Sequence, residues 1–151
     1  MPTFGLLLSA DNARGTTPDP RIGLVLLERT LLDPPRAAAT GRWCALVRQR
    51  FPAAELVPYA WHLVSHERRD GLRERSSRRP AGDDHAFGGL QPTPEVQRAW
   101  EVTRLGAQAC GARRVAVRTP PSLAPGGLGR KRLREFVAAR AAEGLATIWE
   151  F

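Results

Sequence analysis

Short apolar runs alternate along this chain with longer stretches in which apolar residues recur every three or four positions. The short runs predict strands and the longer stretches predict helices. Thr3 to Ser9 reads as a first strand, and the wholly apolar Ile22 to Leu27 as a parallel strand covered on both faces. Glu55 to Ala60, Arg114 to Arg118 and Leu145 to Glu150 read as strands three to five. Thr40 is placed to cap a helix running to about Arg50, with Trp43, Leu46 and Val47 on one face. The next helix has a sharper start. Thr93 takes the cap and Pro94 the first helical position, where a missing N–H costs nothing. Val96, Ala99, Trp100, Thr103, Ala107 and Cys110 follow at helical spacing, and Gly111 ends the helix. A last helix from about Gly129 to Ala142 is expected to bury Leu133, Phe136 and Val137 before Gly144 closes it.

Helices between successive strands require parallel pairing with right-handed crossovers, so the fold class is α/β. Two segments fit neither pattern. Asp11 to Pro20 is rich in Gly, Pro, Thr and Asp and reads as a loop. Residues 61–93 form a long insertion after the third strand, either a functional or a solvated loop. In parallel βα folds chemistry gathers at the C-terminal ends of the strands. Here those ends carry Glu28 to Pro35, Trp61 to His66, Arg118 to Ser122, and Trp149-Glu150.

Composition changes this picture in three ways. The 151 residues suit one domain with a real core. A formal net charge of +8, carried almost wholly by arginine with Lys131 the sole lysine, suits an anionic partner or reflects a biased residue usage. Two cysteines far apart, Cys44 and Cys110, with no C-x-x-C, predict reduced thiols in a cytoplasmic protein. The N-terminal apolar run is too short for a membrane span, so no membrane partner is expected.

Several segments carry a family likeness. Tyr59-Ala60-Trp61-His62-Leu63-Val64-Ser65-His66 resembles the third-strand motif of the domain of unknown function 72 family, the YecE-like TIM barrels, which reads roughly Lys-Ala-Trp-Gln, two apolar residues, Thr-His. Pro92 to Glu101 resembles that family's next helix start, and Arg118-Thr119-Pro120-Pro121-Ser122-Leu123 its Gln-Thr-Pro-Pro-Ser-Phe turn. Trp149-Glu150 resembles the opening of its Trp-Glu-Pro-Arg segment, and Thr30 through Pro35 its Thr-Phe-Tyr-x-Pro-Pro. The resemblance implies a partial (β/α) TIM-type barrel in a single, truncated domain spanning 1–151, with about five of the family's eight strands. It implies a pocket at the C-terminal face and no settled activity. A second copy, or a separate chain, is the expected source of the remaining strands; otherwise the N-terminal segment or the insertion covers the open sheet. The departures matter as much. The family's Lys falls on Tyr59, its Gln on Arg118, its second-strand Glu on Leu26, and its Phe-Tyr pair on Leu31-Leu32. A scaffold that has lost this charge suggests a ligand-binding or vestigial module.

The candidate chemistry follows from those positions. His66 and Glu150 form a candidate general acid/base pair, or an ion pair holding strand 3 to strand 5. Trp61, His62, Arg118, Thr119 and Ser122 are candidate ligand-binding residues, with Arg118 the anchor for an anion. An enzyme of hydrolase type acting on a phosphate-containing substrate is the alternative. His62 and His66, four apart, would share a helix face and hold a metal, with Asp83 and Asp84 adding oxygen ligands, but they follow a strand; no metal site is expected. Arg73, Arg75, Arg78 and Arg79 make a basic stretch of the kind that contacts nucleic acid, yet Phe87 is the one aromatic nearby for stacking. Gly126 to Arg130 lacks the spacing of a phosphate loop, and no dinucleotide fingerprint is present, so no cofactor is expected.

Overall fold

Five parallel strands in chain order form the frame of the computed structural model, which describes residues 4–8, 17–78, 80–123 and 126–151. Strands β1 (Phe4–Leu8), β2 (Ile22–Leu27) and β3 (Glu55–Pro58) form one sheet, and β4 (Arg114–Arg118) and β5 (Ala146–Glu150) a second. The two meet at a single parallel bridge between Tyr59 and Ala116, where Ala60 N–H donates to the Ala116 carbonyl at 2.7 Å. Among the described residues no closed barrel forms. The parallel α/β class is as expected from the alternation of strand and helix.

Period-two alternation assigns the strand faces. Val25, Leu27, Leu56, Val115 and Val117 point to one side and are fully buried there. They meet α2 (Ala37–Arg50), α5 (Pro94–Cys110) and α6 (Gly127–Ala142), the three long helices. The other face carries Leu24, Leu26, Val57, Tyr59, Ala116 and Ile148, and its apolar cluster takes only Leu31 from outside the strands. Leu31 lies in α1 (Arg29–Leu32), a single helical turn at the C-terminal end of β2.

Helix starts follow the local chemistry with one exception. Thr93 caps α5, its hydroxyl accepting from Val96 N–H at 3.3 Å, with Pro94 inside the first turn. The expected buried face of α5 from Val96 to Cys110 is the observed one. Thr40 caps nothing: α2 begins at Ala37, and the Thr40 hydroxyl donates to the Pro35 carbonyl at 3.2 Å. The helix therefore rotates its inward face to Thr40, Cys44 and Val47, and Leu46 points to solvent at 61% exposure. On α6 the buried residues are Phe136 and Arg140, while Val137 is exposed and Leu133 only flanks the core. Arg140 replaces the expected aliphatic by lying over two rings, 4.5 Å from the Trp100 centroid and 4.9 Å from Phe136, with Glu143 as its ion pair.

The described residues of the insertion form short helical turns. Residues 61–93 hold α3 (His62–Ser65), α4 (Leu72–Arg75) and two 3₁₀ turns, Arg68–Asp70 and Asp84–Ala86. Within the earlier loop, residues 11–16 lie outside the described residues, as does Arg79.

The cysteines are paired rather than reduced. Cys44 on α2 and Cys110 at the end of α5 form a disulfide across a Cα separation of 5.6 Å, both at 0% exposure. No C-x-x-C betrays the pair, because helix packing brings together residues 66 apart. Among the described residues no helix is long and apolar enough to cross a membrane. Cross-linking residues this far apart restricts the unfolded chain, an effect of about 2–4 kcal/mol. The double variant Cys44→Ala/Cys110→Ala is therefore expected to lose about 2–4 kcal/mol in urea denaturation. The unfolded wild type should show no free thiol until reductant is added.

Candidate functional site

At the C-terminal edge of the face that the three long helices leave clear, three polar groups from neighbouring strands converge. Tyr59 follows β3, Arg118 ends β4 and Glu150 ends β5, and alternation aims all three to the side that carries Val57, Ala116 and Ile148. The Tyr59 hydroxyl donates to Glu150 Oε2 at 2.5 Å, and Arg118 Nε donates to Glu150 Oε1 at 3.0 Å. The guanidinium also lies 5.1 Å above the Tyr59 ring. Burial and the hydrogen bond to Glu150 push the Tyr59 phenol up to about 12. Burial works to raise Glu150, but bonds from Tyr59 and Arg118 outweigh it and hold the carboxyl below its usual range. The cluster is thus a neutral phenol, a carboxylate and a guanidinium at neutral pH.

The opposite end of the same face mirrors this arrangement. Arg114 Nε donates to Glu55 at 2.9 Å, tying β4 to β3 across the junction between the sheets.

His66 sits beside the cluster rather than in it. It is 6% exposed at the C-terminal end of α3, and it shares no hydrogen bond with Glu150. Ser65 Oγ donates to the Arg118 carbonyl at 2.7 Å, so it accepts from His66 Nδ1–H at 3.0 Å. That order fixes the tautomer and leaves Nε2 as the acceptor. Burial lowers the His66 pKa, the Asp70 charge opposes this, and Arg118 reinforces it. Asp70 in turn accepts from the Ser122 hydroxyl at 2.8 Å and from Glu67 N–H at 2.7 Å. Thr119 donates to the Glu150 carbonyl at 2.9 Å and so secures the end of β5.

The strand-end segment is held by a dense backbone framework. The buried Thr30 hydroxyl accepts from Tyr59 N–H at 2.7 Å and donates to the Leu27 carbonyl at 2.8 Å. Trp61 and His62 spend their ring N–H groups on the C-terminal carbonyls of α1. Trp61 Nε1 donates to Leu32 at 3.0 Å and His62 Nδ1 to Leu31 at 3.1 Å. Both residues are buried, and their ring N–H groups bond α1 rather than the Glu150 cluster. His62 Nε2 is fully buried with no partner. Among the described residues no group of three or more His, Cys, Asp or Glu could hold a metal.

The carbonyls of α3 are satisfied from the insertion. Gly88, Gly89 and Leu90 all adopt positive φ and donate their N–H groups to Leu63, Ser65 and Val64 at 2.8, 2.9 and 3.1 Å. A Cβ on Gly88 would collide with the His66 carbonyl.

The arginine stretch divides. Arg73 is buried, paired with Asp84 and 4.7 Å from the Phe87 centroid. Arg78 lies 4.8 Å from the Trp61 centroid. Arg75 is exposed, and Arg79 lies outside the described residues. Two of the four candidate nucleic-acid arginines are thus engaged with aromatic rings. No known protein family, characterised protein or solved structure matches the chain.

Sequence reasoning passed over Tyr59, Ser65 and Asp70 as site residues. Alternation could have found Tyr59, two positions beyond Val57 on the same face. Asp70 stands three residues after Glu67 in a local capping box that the sequence could have signalled, whereas its bond from Ser122 exists only in the fold.

Two outcomes follow from this framework. Gly88→Ala combines a left-handed φ with a backbone clash and is expected to cost about 1–3 kcal/mol. Chemical denaturation measures the loss, and the His66 ring resonances should shift with it. Burial pushes His62 down to about 4, from 6.5. The unfolded chain then binds the extra proton first, so stability is present at neutral pH and falls as pH drops from about 6.5 to about 4, by at most about 3 kcal/mol. Urea titrations of wild type and His62→Gln across that window should show a shallower loss in the variant.

Proposed function

We propose that this chain is a ligand-binding α/β module, an open partial barrel of the YecE-like kind. Its site would be the Tyr59–Glu150–Arg118 cluster at the C-terminal ends of β3, β4 and β5. The supporting observation is the placement of that cluster. Three hydrogen-bonded polar groups crown a face that the long helices leave clear, at the end where parallel βα sheets gather their binding chemistry. The parallel strand order and the one-sided helix layer support the barrel ancestry.

The ligand class follows from what Arg118 has left to give. Its Nε and Nη2 face Glu150, at 3.0 and 2.9 Å, Tyr59 also lies against it, and the side chain keeps 28% exposure. A small ligand bearing a phosphate or carboxylate would take that exposed part of the guanidinium, with Thr119 and Ser122 beside it. A second reading rests on His66. Its Nδ1 is oriented by Ser65, so Nε2 is a neutral base of the type that hydrolases use, and the substrate would again carry an anion. The expectation of a cytoplasmic chain rested on reduced thiols; a buried disulfide fits an oxidising compartment better.

Titration of the ¹⁵N-labelled chain with inorganic phosphate tests the binding reading. Saturable shifts are expected at Thr119, Ser122 and Glu150, weakened about tenfold or more in Arg118→Gln. Shifts spread over the exposed arginines, or unchanged in Arg118→Gln, would sink it. Hydrolysis of a phosphoester panel that disappears in His66→Asn would favour the second reading.

A further inference from the structure

A cavity of about 400 Å³ opens between α5 and the last part of the insertion, apart from the strand-end cluster. Its size falls within the range of small-molecule sites, roughly 300–1,000 Å³. Trp61 and Phe87, 3% and 2% exposed, form its floor, and Ala99 and Val102 of α5 add an apolar wall. Two guanidiniums stand at its sides. Arg98 reaches in from α5, paired with Glu95 at 2.8 Å one turn away. Arg78 lies 4.8 Å from the Trp61 ring centroid, and among the described residues it has no carboxylate partner. Among the described residues the cavity is therefore apolar below, with one guanidinium at its rim that has no carboxylate beside it.

The arginine is held in place before any ligand arrives. Arg78 Nη1 donates to the Pro34 carbonyl at 2.6 Å. The loop that carries it is fastened to one carboxylate: Asp33 accepts from the Ser76 hydroxyl at 2.8 Å, Ser77 N–H at 2.9 Å and Arg78 N–H at 3.2 Å. A stacked, tethered guanidinium loses little freedom when an anion joins it. Arg78 is exposed at the protein surface but lies against an indole whose own N–H is already spent on Leu32. We infer that this cleft is a second binding site, selective for a flat apolar ligand that carries one acidic group. The ring system would lie against Trp61, Phe87 and Val102, and the acidic group would meet the free edge of Arg78.

The test is calorimetric titration of the full chain with 2-naphthoate and with neutral 2-naphthylmethanol. Naphthoate is expected to bind about tenfold tighter, the scale of one charge-assisted contact. Arg78→Gln should erase that preference, and Val102→Phe, which fills the cleft from its wall, should weaken both probes. Naphthoate should shift the ¹⁵N-amide resonances of Ala99 and Val102 rather than those of Thr119 and Glu150, so failure here is separable from failure of the strand-end site. Absence of saturation with naphthoate, equal affinity of the two probes, or a preference that survives in Arg78→Gln would each overturn the inference. The comparison of the two probes needs no variant and so holds even if a substitution unfolds the chain.

Discussion

Among the described residues one hydrogen-bonded bridge, between Tyr59 and Ala116, pairs the backbones of the two sheets. A parallel ladder of full length would supply several such bonds, so the junction depends on side chains. Glu55 and Arg114 close it at one end of the strands. Tyr59, Glu150 and Arg118 close it at the other, with Glu150 on β5 reaching across β4 to a residue that follows β3. Helix α5 then covers the seam from behind, because it contributes to the apolar clusters of both halves. The disulfide from Cys110 to α2 extends that cover to the first three strands.

This arrangement ties architecture to the proposed site. The groups that hold the sheets together at their C-terminal end are the groups with the right chemistry to meet a ligand. Glu150 serves both roles, accepting from Tyr59 and from Arg118. Their mutual satisfaction keeps two charges from lying unpaired on a partly buried surface. It also means that a ligand's acidic group would meet Arg118 in competition with Glu150 and Tyr59.

The insertion after β3 builds two things at once. Its Gly88-Gly89-Leu90 strip satisfies the carbonyls of α3 and so positions His66. Its Ser76 to Arg78 segment binds Asp33 and lays a guanidinium on Trp61. The arginines that looked like a solvated charge run are partly structural, since Arg73 and Arg78 stack on rings and Arg73 pairs with Asp84.

By itself the sequence determined the parallel α/β class and most element boundaries. Ile22–Leu27, Arg114–Arg118 and Pro94–Cys110 match closely because uniform apolar runs, a Thr-Pro start and a Gly stop are local signals. It also marked the strand ends where Arg118 and Glu150 would stand, since alternation and the βα order are properties of the chain alone. Tertiary structure decided the rest. The inward face of α2 turned on a start three residues before Thr40, and the burial of Arg140 on two aromatic rings from distant elements. The Cys44–Cys110 pair needed α2 and α5 to pack. Glu150 met Tyr59 rather than His66 because the direction of each side chain depends on where the strands lie side by side, which no local pattern encodes.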